Sequence, residues 1–223
     1  MSPLLFIDIE TIPSQKPGIL EELRKTAKPP ANMTKPETIA KWREENAEDI
    51  WLKTALDGAH GELVVIGWAI DDGPVQSFSR GLGEDEAYLL KSFYASLWYE
   101  LCDNAPPQYV GHNILGFDLR FLYQRSVILG VQPAFPLNHD TRYNGNGAMD
   151  TMLAWAGWGN RVSLSKVCAA LNIPVKSGGI DGSQVWPYVQ AGRVAEVADY
   201  CREDVEATRE VWRRMTFQGV SNV

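Results

Sequence analysis

The stretch Leu4-Leu5-Phe6-Ile7-Asp8-Ile9-Glu10-Thr11 constrains this chain more than any other. It is apolar enough for a buried strand, yet it carries two carboxylates two residues apart. Alternation puts Asp8 and Glu10 on the same side of such a strand. Two like charges side by side in a buried setting repel, and both are costly to desolvate. A divalent cation between them removes the conflict. The strand therefore reads as half of a metal site, and later segments must supply the other half.

The remaining composition narrows the class. A chain of 223 residues with 45% hydrophobic content suits one domain, 1–223, with a proper core. Its net charge of −7 argues against a protein that coats nucleic acid by bulk electrostatics. It leaves room for an enzyme that handles nucleic acid locally, because bound cations invert the sign of a carboxylate cluster. Cys102, Cys168 and Cys201 are widely spaced and odd in number, which predicts neither a disulfide framework nor a CxxC metal site. With only His60, His112 and His139, a zinc centre is not expected. No apolar run reaches spanning length, and the basic-then-apolar order of a secretory signal is missing, so no membrane partner and a cytoplasmic location are expected. Asn32-Met33-Thr34 carries no weight as a glycosylation acceptor without that signal.

Patterning gives an α/β order. After Ile12-Pro13 a polar stretch over 13–58 reads as a helical insertion lying over the domain, with Thr34 and Glu37 as a capping box opening a helix toward Ile50. Its Arg24, Lys25, Lys28, Lys35, Lys41 and Arg43 form a solvated helical surface or a nucleic-acid contact. Glu62 to Ile70 is a nearly continuous apolar strand, and Val75 to Ser79 returns after the Asp71-Asp72-Gly73 turn. Glu84 to Leu101 is a helix with Tyr88, Leu89, Phe93, Leu97 and Leu101 inward. A strand over 108–113 precedes a helix over 117–129, with Leu119, Leu122, Tyr123 and Val127 inward. Asp150-Thr151-Met152 continues a fifth strand, 163–171 is a short helix, and 176–182 is a flexible loop. The last helix runs from Val194 to Met215, its stripe being Val194, Val197, Cys201, Val205, Thr208, Trp212 and Met215. The predicted architecture is a mixed five-stranded sheet flanked by helices.

Two further acids sit where a site could use them. Tyr200 and Asp204 lie one helical turn apart, beside the apolar stripe of the last helix. Asp118 opens a helix just beyond a strand, where an acid complements the macrodipole and where ligands collect in α/β sheets.

Taken in order, Phe6-Ile7-Asp8-Ile9-Glu10-Thr11, then Gly111-His112-Asn113 with Phe117-Asp118, then Tyr200-Cys201-Arg202-Glu203-Asp204 resemble the three motifs of the DEDD superfamily of 3′→5′ exonucleases. The tyrosine four before the last aspartate resembles the DEDDy branch. The histidine branch has its residue five before, where this chain has Asp199. The proofreading exonuclease domains of family-B DNA polymerases, and their stand-alone phage and bacterial relatives, are most similar. The resemblance covers residues 4–215 and implies a ribonuclease-H-like fold. It also implies a two-metal phosphodiesterase site in which Asp8, Glu10, Asp118 and Asp204 are the acids and Tyr200 stands beside the water. Oxygen-only ligands select Mg²⁺ or Mn²⁺, and four carboxylates balance two such ions.

The expected partner is the 3′ end of a single-stranded nucleic acid, DNA favoured over RNA; no replication or repair partner is written in the residues. The main-chain N–H of Thr11 and the side chain of Asn113 are candidates to hold the terminal nucleotide. Phe117 or Phe121 could stack on a base, and Lys176 in the Gly178-Gly179 loop could approach the phosphodiester. Asp150 resembles a recurrent acid at a strand end and is not counted as a ligand. Rival readings are an RNA-trimming exoribonuclease, an endonuclease, or a non-catalytic nucleic-acid or protein-interaction module on the same fold.

Overall fold

The structure, a computed structural model, describes residues 2–138, 147–174 and 180–218. The acid-bearing segment is strand β1 (Leu4–Ile12), at the middle of a five-stranded sheet. Strand β2 (Glu62–Ile70) pairs antiparallel with β1, and β3 (Gln76–Ser79) pairs antiparallel with β2. Strands β4 (Gln108–Gly111) and β5 (Ala148–Asp150) extend the other side in parallel, giving the order β3-β2-β1-β4-β5. Because β1, β4 and β5 run the same way, their C-terminal ends share one rim of the sheet. The helices are α1 (Ile19–Thr26), α2 (Pro36–Lys53), α3 (Glu86–Leu101), α4 (Asp118–Leu129), α5 (Thr151–Ala156), α6 (Leu164–Ala170), α7 (Val185–Gln190) and α8 (Val194–Met215).

Alternation along β1 sorts its side chains between two cores. Leu5, Ile7 and Ile9 pack with Leu90 and Phe93 of α3 and Leu119 and Leu122 of α4. Phe6 lies on the opposite face, edge-on to Trp212 of α8 at 5.5 Å between ring centroids. Asp8 and Glu10 continue the Phe6 row and so are carried on the α8 side of the sheet. Near the rim, Glu10 pairs with Val65 but Thr11 pairs with Leu63, leaving Val64 as an extra residue in β2. This bulge turns both Val64 and Val65 into the α7–α8 core.

Helix α8 matches its sequence pattern: Val197, Cys201, Val205, Thr208 and Trp212 are buried. It approaches the sheet closely over Gly67, where an added Cβ would lie 2.8 Å from Cys201 Sγ and 3.3 Å from Val205 Cγ2. Gly67 is the partner of Asp8 in the β1–β2 ladder, so this contact fixes the depth of α8 beside the acid strand.

Several local expectations are corrected. Helix α2 begins at Pro36 with Lys35 as its N-cap and no side-chain cap, so Thr34 and Glu37 form no capping box. Proline at the first helical position supplies the start instead. Strand β4 stops at Gly111, because Asn113 turns left-handed at φ 67°. Strand β5 stops at Asp150, whose side chain accepts from the Leu153 N–H and caps α5, so Thr151 and Met152 are helical. Tyr88 on α3 and Tyr123 and Val127 on α4 face solvent. The inner side of α4 instead takes Phe121, Arg125 and Ser126. Arg125 is buried there because its Nε donates to Glu86 Oε1 at 2.9 Å and its Nη1 donates to the Gly58 carbonyl at 3.2 Å.

In the polar stretch, α1 buries Ile19 and α2 buries Ala47, with Ala27 buried just past the end of α1. Trp51 links it to the domain through its ring, edge-on to Trp186, while its indole N–H donates to the Ser14 carbonyl at 2.8 Å within the stretch. Part of its positive charge is matched locally, Arg24 by Glu21 and Glu44 and Lys41 by Glu45. Among the described residues, no helix is long and apolar enough to cross a membrane.

Candidate metal centre

The fold brings β1, the start of α4 and the middle of α8 to one point on the rim. Asp118, in the first turn of α4, is 3% exposed, and the Ile9 N–H of β1 donates to its Oδ1 at 3.2 Å. Glu10 is buried, Asp8 and Asp204 half-buried. Asp8 feels all three of the other acids, and Glu10 and Asp118 feel some of them. Burial first, then the charges of Glu10, Asp118 and Asp204, raise the Asp8 carboxyl well above the usual range. Glu10 is raised by burial and by Asp204 and Asp118. Asp118 is pushed up to about 7, mainly by burial, with its own and the Ile9 N–H groups working against the shift. Asp204 is raised to about 6, again mainly by burial, with the Tyr200 hydroxyl acting in the opposite direction.

Asp8 Oδ2 is shielded from solvent and has no hydrogen-bond partner among the described residues. A carboxylate oxygen left this way is costly unless something positive completes it. The donor set fits a hard divalent cation: carboxylate oxygens of both β1 acids lie within 4.8 Å of one another and of Cys201 Sγ. The thiol does not join as a soft ligand. Its S–H donates to the Asp8 carbonyl at 3.4 Å, and burial together with Asp8 and Glu10 raises it well above the usual thiol range, so it stays protonated. Histidine is not offered either: His112 commits Nδ1 to Thr151 Oγ1 at 3.0 Å and Nε2 to the Val162 carbonyl at 2.8 Å. His139 lies outside the described residues.

Tyr200, half-buried, is one turn before Asp204. Burial, then the charges of Asp204, Glu10 and Asp8, raise its hydroxyl above the usual tyrosine value, so it remains a donor at neutral pH. Thr11 is buried at the β1 end with its hydroxyl donating to the Ala55 carbonyl at 2.7 Å. Asn113 is half-buried in the β4–α4 loop beside Gly116. Phe117, half-buried, packs at 5.5 Å from Phe121. Phe121 itself is 1% exposed in the core, which removes it as a base-stacking surface. Lys176 and the Gly178-Gly179 loop lie outside the described residues.

Sequence reasoning undervalued Asp150. Its carboxylate accepts from the N–H groups of Asn113 (3.0 Å), Leu115 (3.2 Å) and Leu153 (3.1 Å). It therefore pins the loop leading into Asp118 to the start of α5, a role no local motif announces.

A mixed sheet of this order, helices on both faces and an acidic centre at its rim define a ribonuclease-H-like fold of the polymerase-B exonuclease type. The family B DNA polymerase from the hyperthermophilic archaeon Pyrobaculum calidifontis is similar in structure over 97% of this chain, with a TM-score of 0.58 and 17% sequence identity. The chain spans only 25% of that polymerase's length. Residues 71–221, more than half the chain, match the family described as a predicted 3′-5′ exonuclease related to the exonuclease domain of PolB. The chain belongs to that family and is a hydrolase of the 3′-5′ exonuclease class. No curated protein matches it. The family match includes Asp118, Tyr200 and Asp204; Asp8 and Glu10 precede it and join the centre through the fold.

Proposed function

We propose that this protein removes nucleoside 5′-monophosphates one at a time from the 3′ end of single-stranded DNA, with Asp8, Glu10, Asp118 and Asp204 holding two divalent cations, Mg²⁺ or Mn²⁺. The observation that carries this reading is the shielded, unpartnered Oδ2 of Asp8, surrounded by three further carboxyls that all raise its proton affinity or are raised with it. Four negative charges match two doubly charged ions. When bound, such ions supply Lewis acidity toward the attacking and leaving oxygens of an in-line displacement.

The residues divide the remaining work. Water attacks the terminal phosphorus and gives up a proton to solvent, the bond from phosphorus to the 3′ oxygen of the preceding nucleotide breaks, that oxygen takes a proton from solvent, and the phosphate leaves on the released nucleotide. Tyr200, kept protonated, orients the attacking water through its hydroxyl and does not act as its base. The Thr11 N–H and the Asn113 side chain flank the terminal nucleotide, and Asp150 fixes the loop that carries Asn113. Phe117 is the remaining aromatic candidate for its base.

The test uses linear single strands of DNA and RNA, labelled at either end, with Mg²⁺. The 3′ label should be released at once as a mononucleotide, while the 5′ label passes through a ladder shortened one nucleotide at a time. DNA should be degraded faster than RNA; the opposite preference makes the protein an exoribonuclease. Cutting of a circular strand would overturn the exonuclease reading.

A further inference from the structure

The sheet is open along β3. That strand pairs with β2 on one side only, and Arg80 just beyond it donates its N–H to the Val64 carbonyl at 2.9 Å. Main-chain groups in an antiparallel pair alternate between facing the partner strand and facing away from it. Counting back from Arg80, Phe78 and Gln76 turn theirs toward β2, while Ser77 and Ser79 turn theirs outward. Among the described residues no hydrogen bond reaches these outward N–H and C=O groups. Exposed edges are commonly guarded by shortness, charge, proline or a bulge. Strand β3 is short, but Gln76 to Ser79 holds neither charge nor proline and keeps one register with β2.

The two sides of this edge differ in chemistry. Toward α3 lies a groove of about 410 Å³ with Phe78, Tyr88 and Leu89 as its apolar wall. Tyr88 is 71% exposed there, so apolar surface is on offer. Toward α8, Arg202 Nη1 donates to Ser77 Oγ at 2.6 Å and ties the helix to the edge strand. Val75 and the α8 acids Asp199, Glu203, Glu206 and Glu210 line a groove of about 590 Å³ on that side. Glu203 makes no ion pair among the described residues, and the other three acids each meet an arginine three residues on. In those pairs the carboxylate faces water more than its partner does: Glu206 is 45% exposed against 8% for Arg209. The surface presented to a visitor on this side is therefore acidic.

We propose that the outer edge of β3 docks an extended segment of a partner protein as a sixth strand, its apolar side chains toward α3 alternating with lysines or arginines toward α8. Successive side chains of a strand point to opposite faces, so one extended segment meets both grooves. In such strand addition the main chain supplies affinity and the alternating side chains supply selectivity. A lysine or arginine can lay its aliphatic stem along Val75 while its charge reaches the acids. A second copy of this chain fits poorly. Antiparallel pairing of β3 with β3 would set two α8 acid rows on one face of a joint sheet, where like charges repel. Nucleic acid meets the same repulsion through its phosphates. Strand β2 separates β3 from the acid-bearing β1, and the proposal does not depend on the exonuclease reading.

The probe is a capped octapeptide of alternating lysine and valine, titrated into the isotope-labelled full chain and followed by amide NMR and hydrogen exchange. Binding should be saturable, and the Ser77 and Ser79 amides should shift and gain protection. N-methylation of one alternate set of peptide residues should abolish binding, while methylation of the other set should spare it, since only one set faces β3. Ser79→Pro removes an outward donor without breaking the β2 ladder, and it should weaken binding by at least about tenfold. Glu206→Gln combined with Glu210→Gln should weaken it by about threefold or more. The proposal is overturned by any of four results on the wild-type chain. These are no saturable binding below about 1 mM, equal affinity for a glutamate–valine octapeptide, unmoved Ser77 and Ser79 amides, or equal effects of the two methylated sets. Self-association of the chain that Ser79→Pro abolishes would give the edge to a second copy and overturn it as well.

Discussion

Asp8 concentrates the electrostatic cost of this molecule. Its side chain is close to three other carboxyls, and one of its oxygens has no protein donor among the described residues. Without a cation the cluster opposes folding, and the direction with pH follows from linkage. In the unfolded chain these carboxyls titrate near 4. In the folded chain Asp204 titrates near 6, Asp118 near 7, and Asp8 and Glu10 are also raised. The native state therefore binds more protons through this window, and stability falls as pH rises from about 4 through about 7. Thermal melts in EDTA should show a lower Tm at pH 8 than at pH 5.5, with Mn²⁺ or Mg²⁺ restoring most at pH 8. A Tm that rises with pH, or a cation effect that is largest at pH 5.5, contradicts the cluster. For the same reason Asp8→Asn should raise the Tm of the metal-free protein at pH 8 while abolishing hydrolysis. Tyr200→Phe belongs to a different category, because the role proposed for its hydroxyl is to position water without accepting its proton. It should lower kcat by about 10- to 100-fold, less than loss of any acid.

At the level of elements, the centre depends on how deeply α8 sits on the sheet. Gly67→Ala would place a methyl against Cys201 Sγ and Val205, with no flexible chain end to yield. Overpacking of this kind costs about 1–3 kcal/mol, and it should also move Tyr200 and Asp204 away from β1. Activity should thus fall further than the loss of folded protein explains, which denaturant melts and kcat on the same sample resolve. The buried Glu86–Arg125 pair works behind the sheet, where Glu86 Oε1 also accepts from the Leu63 N–H at 2.8 Å. Removing only the arginine in Arg125→Ala should cost about 3–5 kcal/mol by stranding a buried carboxylate. The long elements were legible because their patterns are unambiguous: β1 and β2 as apolar runs, α8 as six turns with one stripe. Helices α3 and α4 were legible in extent and in most of their inward stripe, Leu89, Phe93, Leu97, Leu101, Leu119 and Leu122, but not at Tyr88, Tyr123 and Val127, which are apolar without being buried, nor at Arg125, which is buried without being apolar. Helix α7, only six residues long, has too few turns for a period to show.

Across the whole molecule, the site is a product of topology. The acids of β1 and of α8 are separated by nearly the full chain, and parallel pairing of β1 with β4 brings the Asp118 loop between them. Sequence singled out the four acids and Tyr200 as candidates through their order and local settings, and the fold brings the segments that carry them together. It was silent on the Asp150 clamp and the Cys201–Gly67 contact. Each of these depends on which residues from distant segments become neighbours, and none repeats at a local period. The same topology means that the centre should be all-or-none in its chemistry. Single-stranded DNA carrying a 5′ label, incubated with Mg²⁺, tests this most directly for wild type and for the Asp8→Ala, Asp204→Ala double variant, both verified as folded. Wild type should give a ladder shortened from the 3′ end one nucleotide at a time, and the double variant should leave the strand intact. Undiminished shortening by the folded double variant would contradict the assignment of the site.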